Sequence, residues 1–196
     1  MSGARRGRRP GSPDTRAAIL AAARESFASS GFAGTTVRGV ASAAGVDAAL
    51  VHHYFGTKDQ LFLAAVELPV DPREVLAPVA AGGPDGAGER LLAAFLGVWD
   101  DPGLQPGLLA AARSIMVPGG QELIREGFLP VIIRPVLGPL APDREEERIS
   151  LVASQLLGLV VARYLLAVEP LASLPADAVV AAIGPTLQRY LTGDLG

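Results

Sequence analysis

The side chains able to do chemistry crowd into one short stretch. Between positions 36 and 58 stand Thr36, Arg38, His52, His53, Tyr54 and Lys58: two cations, two imidazoles and two hydroxyls. Nothing among them resembles a catalytic set, and the rest of the chain offers no paired carboxylates or nucleophile-base arrangement. No catalytic residue is assigned. His52 and His53 are sequence neighbours, which point apart on a helix and cannot share a metal ion. The chain has no other histidine and no cysteine, so no metal site is assigned either. What these groups can do at such spacing is bind phosphate and base edges.

The local sequence supplies elements to hold them. Thr36 is a good N-cap for a helix over 37–44, whose Val40, Ala41 and Ala44 share one face. Gly45 ends that helix in the left-handed conformation. Val46 and Val51 can then staple around Asp47, the cap of a second helix over 48–54. So short a helix is unstable alone. Val51 and Phe55 must pack beneath it, which leaves Ala48, Ala49, His52 and His53 outward. A helix clamped on one face and bare on the other suits a major groove. An earlier helix opens at Ser12, Pro13 or Asp14, buries Ile19, Leu20, Ala23 and Phe27, and ends at Gly31 with Phe32 folding back onto Phe27.

In order, spacing and chemistry, TTVRGVA followed by GVDAALVHHYFGTKDQL resembles the N-terminal domain of TetR-family transcriptional regulators, over residues 14–66. The resemblance implies an all-α protein. Its N-terminal three-helix helix-turn-helix DNA-binding domain is followed by a larger helical ligand-binding and dimerisation domain. It also implies that Thr36 and Arg38 touch phosphate and sometimes a base, that His53 and Tyr54 donate to the DNA backbone, and that Lys58 contacts phosphate. Leu50 and His52 depart from the family, which often carries Ser or Thr and Tyr there. Ala48, Ala49 and Leu50 cannot hydrogen-bond, so apolar contacts to thymine methyls are expected, with His52 and Arg38 as polar readers.

Charge divides along the same line. The chain holds 17 basic and 20 acidic residues, a net of −3. Residues 1–68 carry eight basic against five acidic, whereas the remainder carries nine against fifteen. A basic DNA end thus sits on an acidic body. Residues 1–13 form an arginine-rich arm, expected to be disordered, that either tracks DNA or merely solubilises. Absence of cysteine suits a reducing cytoplasm, and the basic N-terminus lacks the apolar core of a signal peptide. The run 149–168 is long enough to cross a membrane. Gln155 and Arg163 inside it, and the charged DREEER before it, favour a buried helix and no membrane.

Beyond residue 66 the sequence predicts a helical body spanning 67–196. Its prolines and glycines between 69 and 88 predict loop around weak helical pieces. Helices are expected over 87–100, 105–116, 119–136, 143–168 and 175–192, the fourth capped by Asp143. Ser154, Gly158 and Ala162 form a small-residue stripe, and Val179, Ile183, Leu187 and Leu191 an apolar ridge. Both are assigned to a homodimer interface, because one short recognition helix reads too few base pairs. Phe95, Trp99, Arg113, Met116, Phe128 and Tyr164 suit a pocket for a hydrophobic or amphipathic small-molecule effector; no cofactor is expected. The expectation is a ligand-responsive homodimeric regulator, a repressor on a palindromic double-stranded operator, and not an enzyme. A helical small-molecule-binding protein without operator binding is the alternative, and an enzyme on a helical scaffold a weaker third.

Overall fold

The computed structural model describes residues 13–115 and 120–196, and among these no strand occurs. Most of the arginine arm and Met116 lie outside the described residues. Contacts divide the chain into two compact units, Met1–Val66 and Glu67–Gly196.

The first unit holds α1 (Pro13–Gly34), α2 (Val37–Ala43), α3 (Ala48–Phe55) and α4 (Lys58–Val66). Ile19, Ala23 and Phe27 are wholly buried at their four-residue spacing, with Leu20 beside them. They meet Leu61, Phe62 and Ala65 on α4. Gly31 breaks the helix with φ 66°, yet the chain winds on to Gly34 rather than stopping there. Phe32 thereby stacks on Phe27 with ring centres 5.9 Å apart, and both meet Phe62 edge-on at 5.5 and 5.1 Å. Each such pair adds about 1 kcal/mol beyond the area it buries. Arg24 Nε donates to the Ala65 carbonyl at 3.1 Å, closing the end of α4.

The second unit runs α5 (Pro72–Ala81), α6 (Ala87–Trp99), α7 (Gln105–Ile115) and α8 (Gly120–Glu122). A π-helical stretch, Leu123–Ile133, leads into α9 (Arg134–Leu137) and a 3-10 turn, Gly138–Leu140. Then comes α10 (Glu145–Leu159), which continues as π-helix over Val160–Leu165, and finally α11 (Ala176–Thr192).

Three departures from the sequence reading have physical causes. Where the sequence predicts loop around weak helical pieces over 69–88, a full ten-residue helix, α5, forms in spite of Pro78. Asp71 caps it, accepting the Arg73 N–H at 2.9 Å, and Pro72 opens it where no N–H is needed. The Arg73 guanidinium, 2.6 Å from Asp71, holds that carboxyl below the usual carboxylate range. At the other end Arg90 donates to the carbonyls of Val79 and Gly83.

Asp143 does not cap α10; Arg144 occupies that place, with no side-chain cap bond. Arg148, only 1% exposed, claims the Asp143 carboxylate at 2.6 Å, since a buried cation must be paired. Its Nη1 also donates to the Tyr190 carbonyl at 3.0 Å, fastening the end of α11.

The third departure concerns the assigned dimer ridge. Val179 and Leu187 are 0% exposed within the single chain, and Leu191 is equally buried. With Ile183 they pack into their own core, chiefly against α6, so this ridge is internal. The small-residue stripe stays outside: Ser154 and Gly158 are exposed and Ala162 half-buried. A Cβ added to Gly158 would meet no atom within 4 Å.

Where α6 crosses α11 the backbones nearly touch. A Cβ on Gly88 would lie 2.2 Å from Gln188 N and 2.6 Å from the Gly184 carbonyl. Gln188 Oε1 accepts the Gly88 N–H at 2.8 Å, and its Nε2 donates to Pro84 O at 2.9 Å. Gly88→Ala must push the helices apart and is expected to cost about 2 kcal/mol, read as a lowered denaturant midpoint; an unchanged midpoint would show that the crossing tolerates a methyl group.

Candidate nucleic-acid interface

Helices α2 and α3 are too short to persist alone, so their ends decide whether they form. Thr36 Oγ1 accepts the Gly39 N–H at 3.0 Å. At the far end of α2, Val46 N–H reaches the Ala41 carbonyl at 2.9 Å and Gly45 N–H the Ser42 carbonyl at 3.2 Å. These two bonds make a Schellman turn. Asp47 then accepts the Ala49 N–H at 2.7 Å and starts α3 at once. Val51 and Phe55 are buried beneath it, while Ala49, His52 and His53 are exposed and Ala48 and Leu50 half-buried.

The exit of α3 is as tightly made, and sequence reading missed it. The Gly56 N–H donates to the His52 carbonyl at 2.8 Å, and the His52 side chain returns a bond from Nδ1 to the Gly56 carbonyl, also 2.8 Å. Gly56 has φ 69°, and a Cβ there would lie 2.1 Å from Gln60 Oε1. That oxygen accepts the Thr57 N–H at 3.0 Å, and Thr57 Oγ1 accepts the Gln60 N–H at 3.2 Å. The pair is a reciprocal capping box on α4, and the T-x-x-Q spacing at 57–60 was its signal.

The polar residues assigned to DNA differ in how they are held. Arg38 is exposed and engages no hydrogen bond or ion pair among the described residues. Thr36 is exposed but spends its oxygen on the cap. Lys58 Nζ stands 4.3 Å above the Phe32 ring, a cation-π contact that pins the amine. His53 lies edge-on to Tyr54 at 5.6 Å. Tyr54 departs from expectation. Its hydroxyl is buried, has no hydrogen-bond partner among the described residues, and is not presented for donation to a DNA backbone. Arg16 stands 5.2 Å from the Phe55 ring centre, a cation on α1 that the sequence reading left unassigned.

Of the residues assigned to a small-molecule pocket, three come together in the second unit. Trp99 stacks on Tyr164 at 5.0 Å and meets Phe95 at 5.7 Å. Arg113 is exposed on α7, Phe128 lies half-buried on the first π-helical stretch, and Met116 is outside the described residues. Two polar partners were missed. Asp100 accepts the Tyr164 hydroxyl at 2.9 Å, and Arg163 lies 3.6 Å from the same carboxylate. Burial pushes the Tyr164 phenol up, and the bond to Asp100 adds to that rise, so the hydroxyl stays protonated. The signal for Arg163 was a cation inside an apolar run, which must find partners once buried. Its Nη1 donates to Leu171 O at 2.6 Å and Leu174 O at 2.8 Å.

A capped helix pair with one face sunk and one bare, joined to an all-helical second unit, defines a helix-turn-helix DNA-binding regulator. The chain belongs to the TetR family of such transcriptional regulators. Residues 19–65 match the family described as bacterial regulatory proteins, tetR family, and residues 85–191 match the tetracyclin repressor-like C-terminal domain. A TetR-family regulator from Streptomyces coelicolor is 41% identical over 94% of this chain and 98% of its own, with a TM-score of 0.53. A putative TetR-family regulator from a Shewanella species is 22% identical over 89% and 95% of the two chains, TM-score 0.39. The multidrug binding protein EbrR, solved with ethidium, is 23% identical over 91% and 98%, TM-score 0.41. No curated protein matches the chain.

Because the Tyr54 hydroxyl is buried and unpaired among the described residues, Tyr54→Phe is expected to leave the fold unharmed or raise its stability by about 1 kcal/mol. A lowered melting temperature would mean that the hydroxyl has a partner after all.

Proposed function

We propose that the chain is a homodimeric repressor that binds a two-fold-symmetric operator and is released by a small apolar or amphipathic effector. One observation carries the operator reading. The helix pair is fixed at every end by internal bonds, yet its bare face keeps Arg38 uncommitted and His52 exposed. Rigid placement with free polar edges is what groove contact needs. Arg38 offers a fork to guanine or phosphate, while Lys58 and His53 supply backbone contacts. Such a protein works in the cytoplasm beside its DNA and catalyses nothing.

The dimer is argued from the outer face of α10. The helix Glu145–Leu165 is long and apolar enough to cross a membrane, yet only 28% of its most apolar window is buried within the chain. Leu157 is 40% exposed beside the open flank of Gly158. A second copy, laying the same face against this one, covers that surface as the small-residue stripe allows. Phe95, Trp99 and Tyr164, with Asp100 and Arg163 alongside, form the surface an effector would meet. Its affinity must differ between the operator-bound and free forms, or nothing would switch. The apolar trio Ala48, Ala49 and Leu50 keeps a second reading in view, an effector-binding protein that no longer selects an operator.

Fluorescence anisotropy on duplex DNA flanking the protein's own gene, against scrambled duplex and across a salt series, tests the proposal. Selective, salt-dependent binding is expected; equal weak binding to both duplexes would favour the second reading. Arg38→Ala is expected to weaken operator binding about tenfold with helicity unchanged, and equal affinity would remove that contact. Leu157→Glu is expected to give monomers in sedimentation, whereas a persistent dimer would place the interface elsewhere.

A further inference from the structure

We propose that His52 reads DNA with a single polarity: its Nε2 accepts a hydrogen bond from an exocyclic amine in the major groove, N6 of adenine or N4 of cytosine. The inference rests on the operator-binding reading above. It begins at the other nitrogen. His52 Nδ1 lies 2.8 Å from the Gly56 carbonyl oxygen. A carbonyl only accepts, so Nδ1 carries the proton, and this tautomer of the imidazole leaves its lone pair on Nε2.

The surrounding backbone makes this tautomer a fixed feature. Gly56 returns its own N–H to the His52 carbonyl at 2.8 Å, so the two residues are tied twice across the last turn of α3. Gly56 is held in turn by its left-handed φ of 69° and by the Thr57–Gln60 box packed against it. The ring therefore has one orientation and one tautomer, while the residue stays exposed to a partner from outside the chain.

Its neighbours leave it the reading to do. Ala48 and Ala49 carry no polar group, and His53 is turned against Tyr54. Arg38 has only donors, which suit the N7 and O6 acceptors of guanine. His52 is its complement. Guanine and the thymine O4 would face Nε2 with lone pair against lone pair, whereas adenine and cytosine offer an amine. Every base pair carries one such amine on one strand, so an acceptor at this position reports which strand holds it.

The test is selection of binding sites from a randomised duplex library by the full chain, by His52→Ala, by His52→Arg and by His52→Gln. Wild type is expected to enrich adenine or cytosine at one position of each half-site. His52→Ala should lose about tenfold in preference there and nowhere else, and His52→Arg should swing that position to guanine. His52→Gln retains an acceptor and should keep the amine preference, which separates lost readout from a damaged fold. Replacing the selected adenine by purine, or the cytosine by pyrimidin-2-one, removes the amine alone. That change should weaken wild type about tenfold and leave His52→Ala unaffected. Identical motifs for wild type and His52→Ala, or guanine at the affected position, would overturn the proposal while leaving operator binding intact. No enriched sequence for wild type would remove the operator reading itself, and this inference with it.

Discussion

The first unit depends on one constraint, that the unpaired backbone groups at the ends of very short helices must find partners. An eight-residue helix leaves about twice as many N–H and carbonyl groups unpaired at its ends as it has bonds inside. Here each end has a named answer: Asp47 at the start of α3, the Gly56–His52 exchange at its close, Thr36 and the Schellman turn around α2. The aromatic knot of Phe27, Phe32 and Phe62 supplies the surface on which the pieces settle. Only because so much is fixed from within can the outer face be left uncommitted. Its residues need no partner from the fold.

Arginine answers the same constraint in the second unit. Arg90 closes α5, Arg148 fastens the last turn of α11, and Arg163 holds the carbonyls of Leu171 and Leu174. Arg134 is meanwhile paired with Glu145 and Glu146 at 2.7 Å each. Cations at helix carbonyl ends gain from the dipole as well as from the hydrogen bond. The body's nine basic residues are therefore largely occupied.

How far the sequence was legible follows the range of the interactions. Caps, the Schellman glycine and the four-residue stripe of α1 are written within a few positions, and reading them located the helix pair and its bare face. The features read wrongly were set by distant neighbours. Val179, Ile183 and Leu187 make an apolar ridge whatever they face, and only the crossing at Gly88 and Gly184 shows that they face α6. Asp143 looked like a cap until Arg148, buried against Tyr190, required it. Tyr54 matched its motif in type, yet nothing local could show that its hydroxyl is sunk. The aromatic cluster was half legible: Phe95, Trp99 and Tyr164 meet, but nothing local marked Asp100, at the end of the helix expected over 87–100, as the partner of Tyr164.

The widened end of α10 changes how that helix is to be counted. Through Leu159 its side chains follow the ordinary α period, but over Val160–Leu165 the winding loosens, and Leu166 N–H bonds back five residues to Val161. A π turn holds an extra residue without an extra turn, so everything beyond it is rotated about the axis relative to a regular helix. Arg163 and Tyr164, which meet Asp100 and Trp99, lie within that widened stretch. In the vocabulary of insertions and deletions, the segment behaves as a vernier: adding or removing one residue between 160 and 165 would re-aim two side chains while leaving the upstream face of the helix undisturbed.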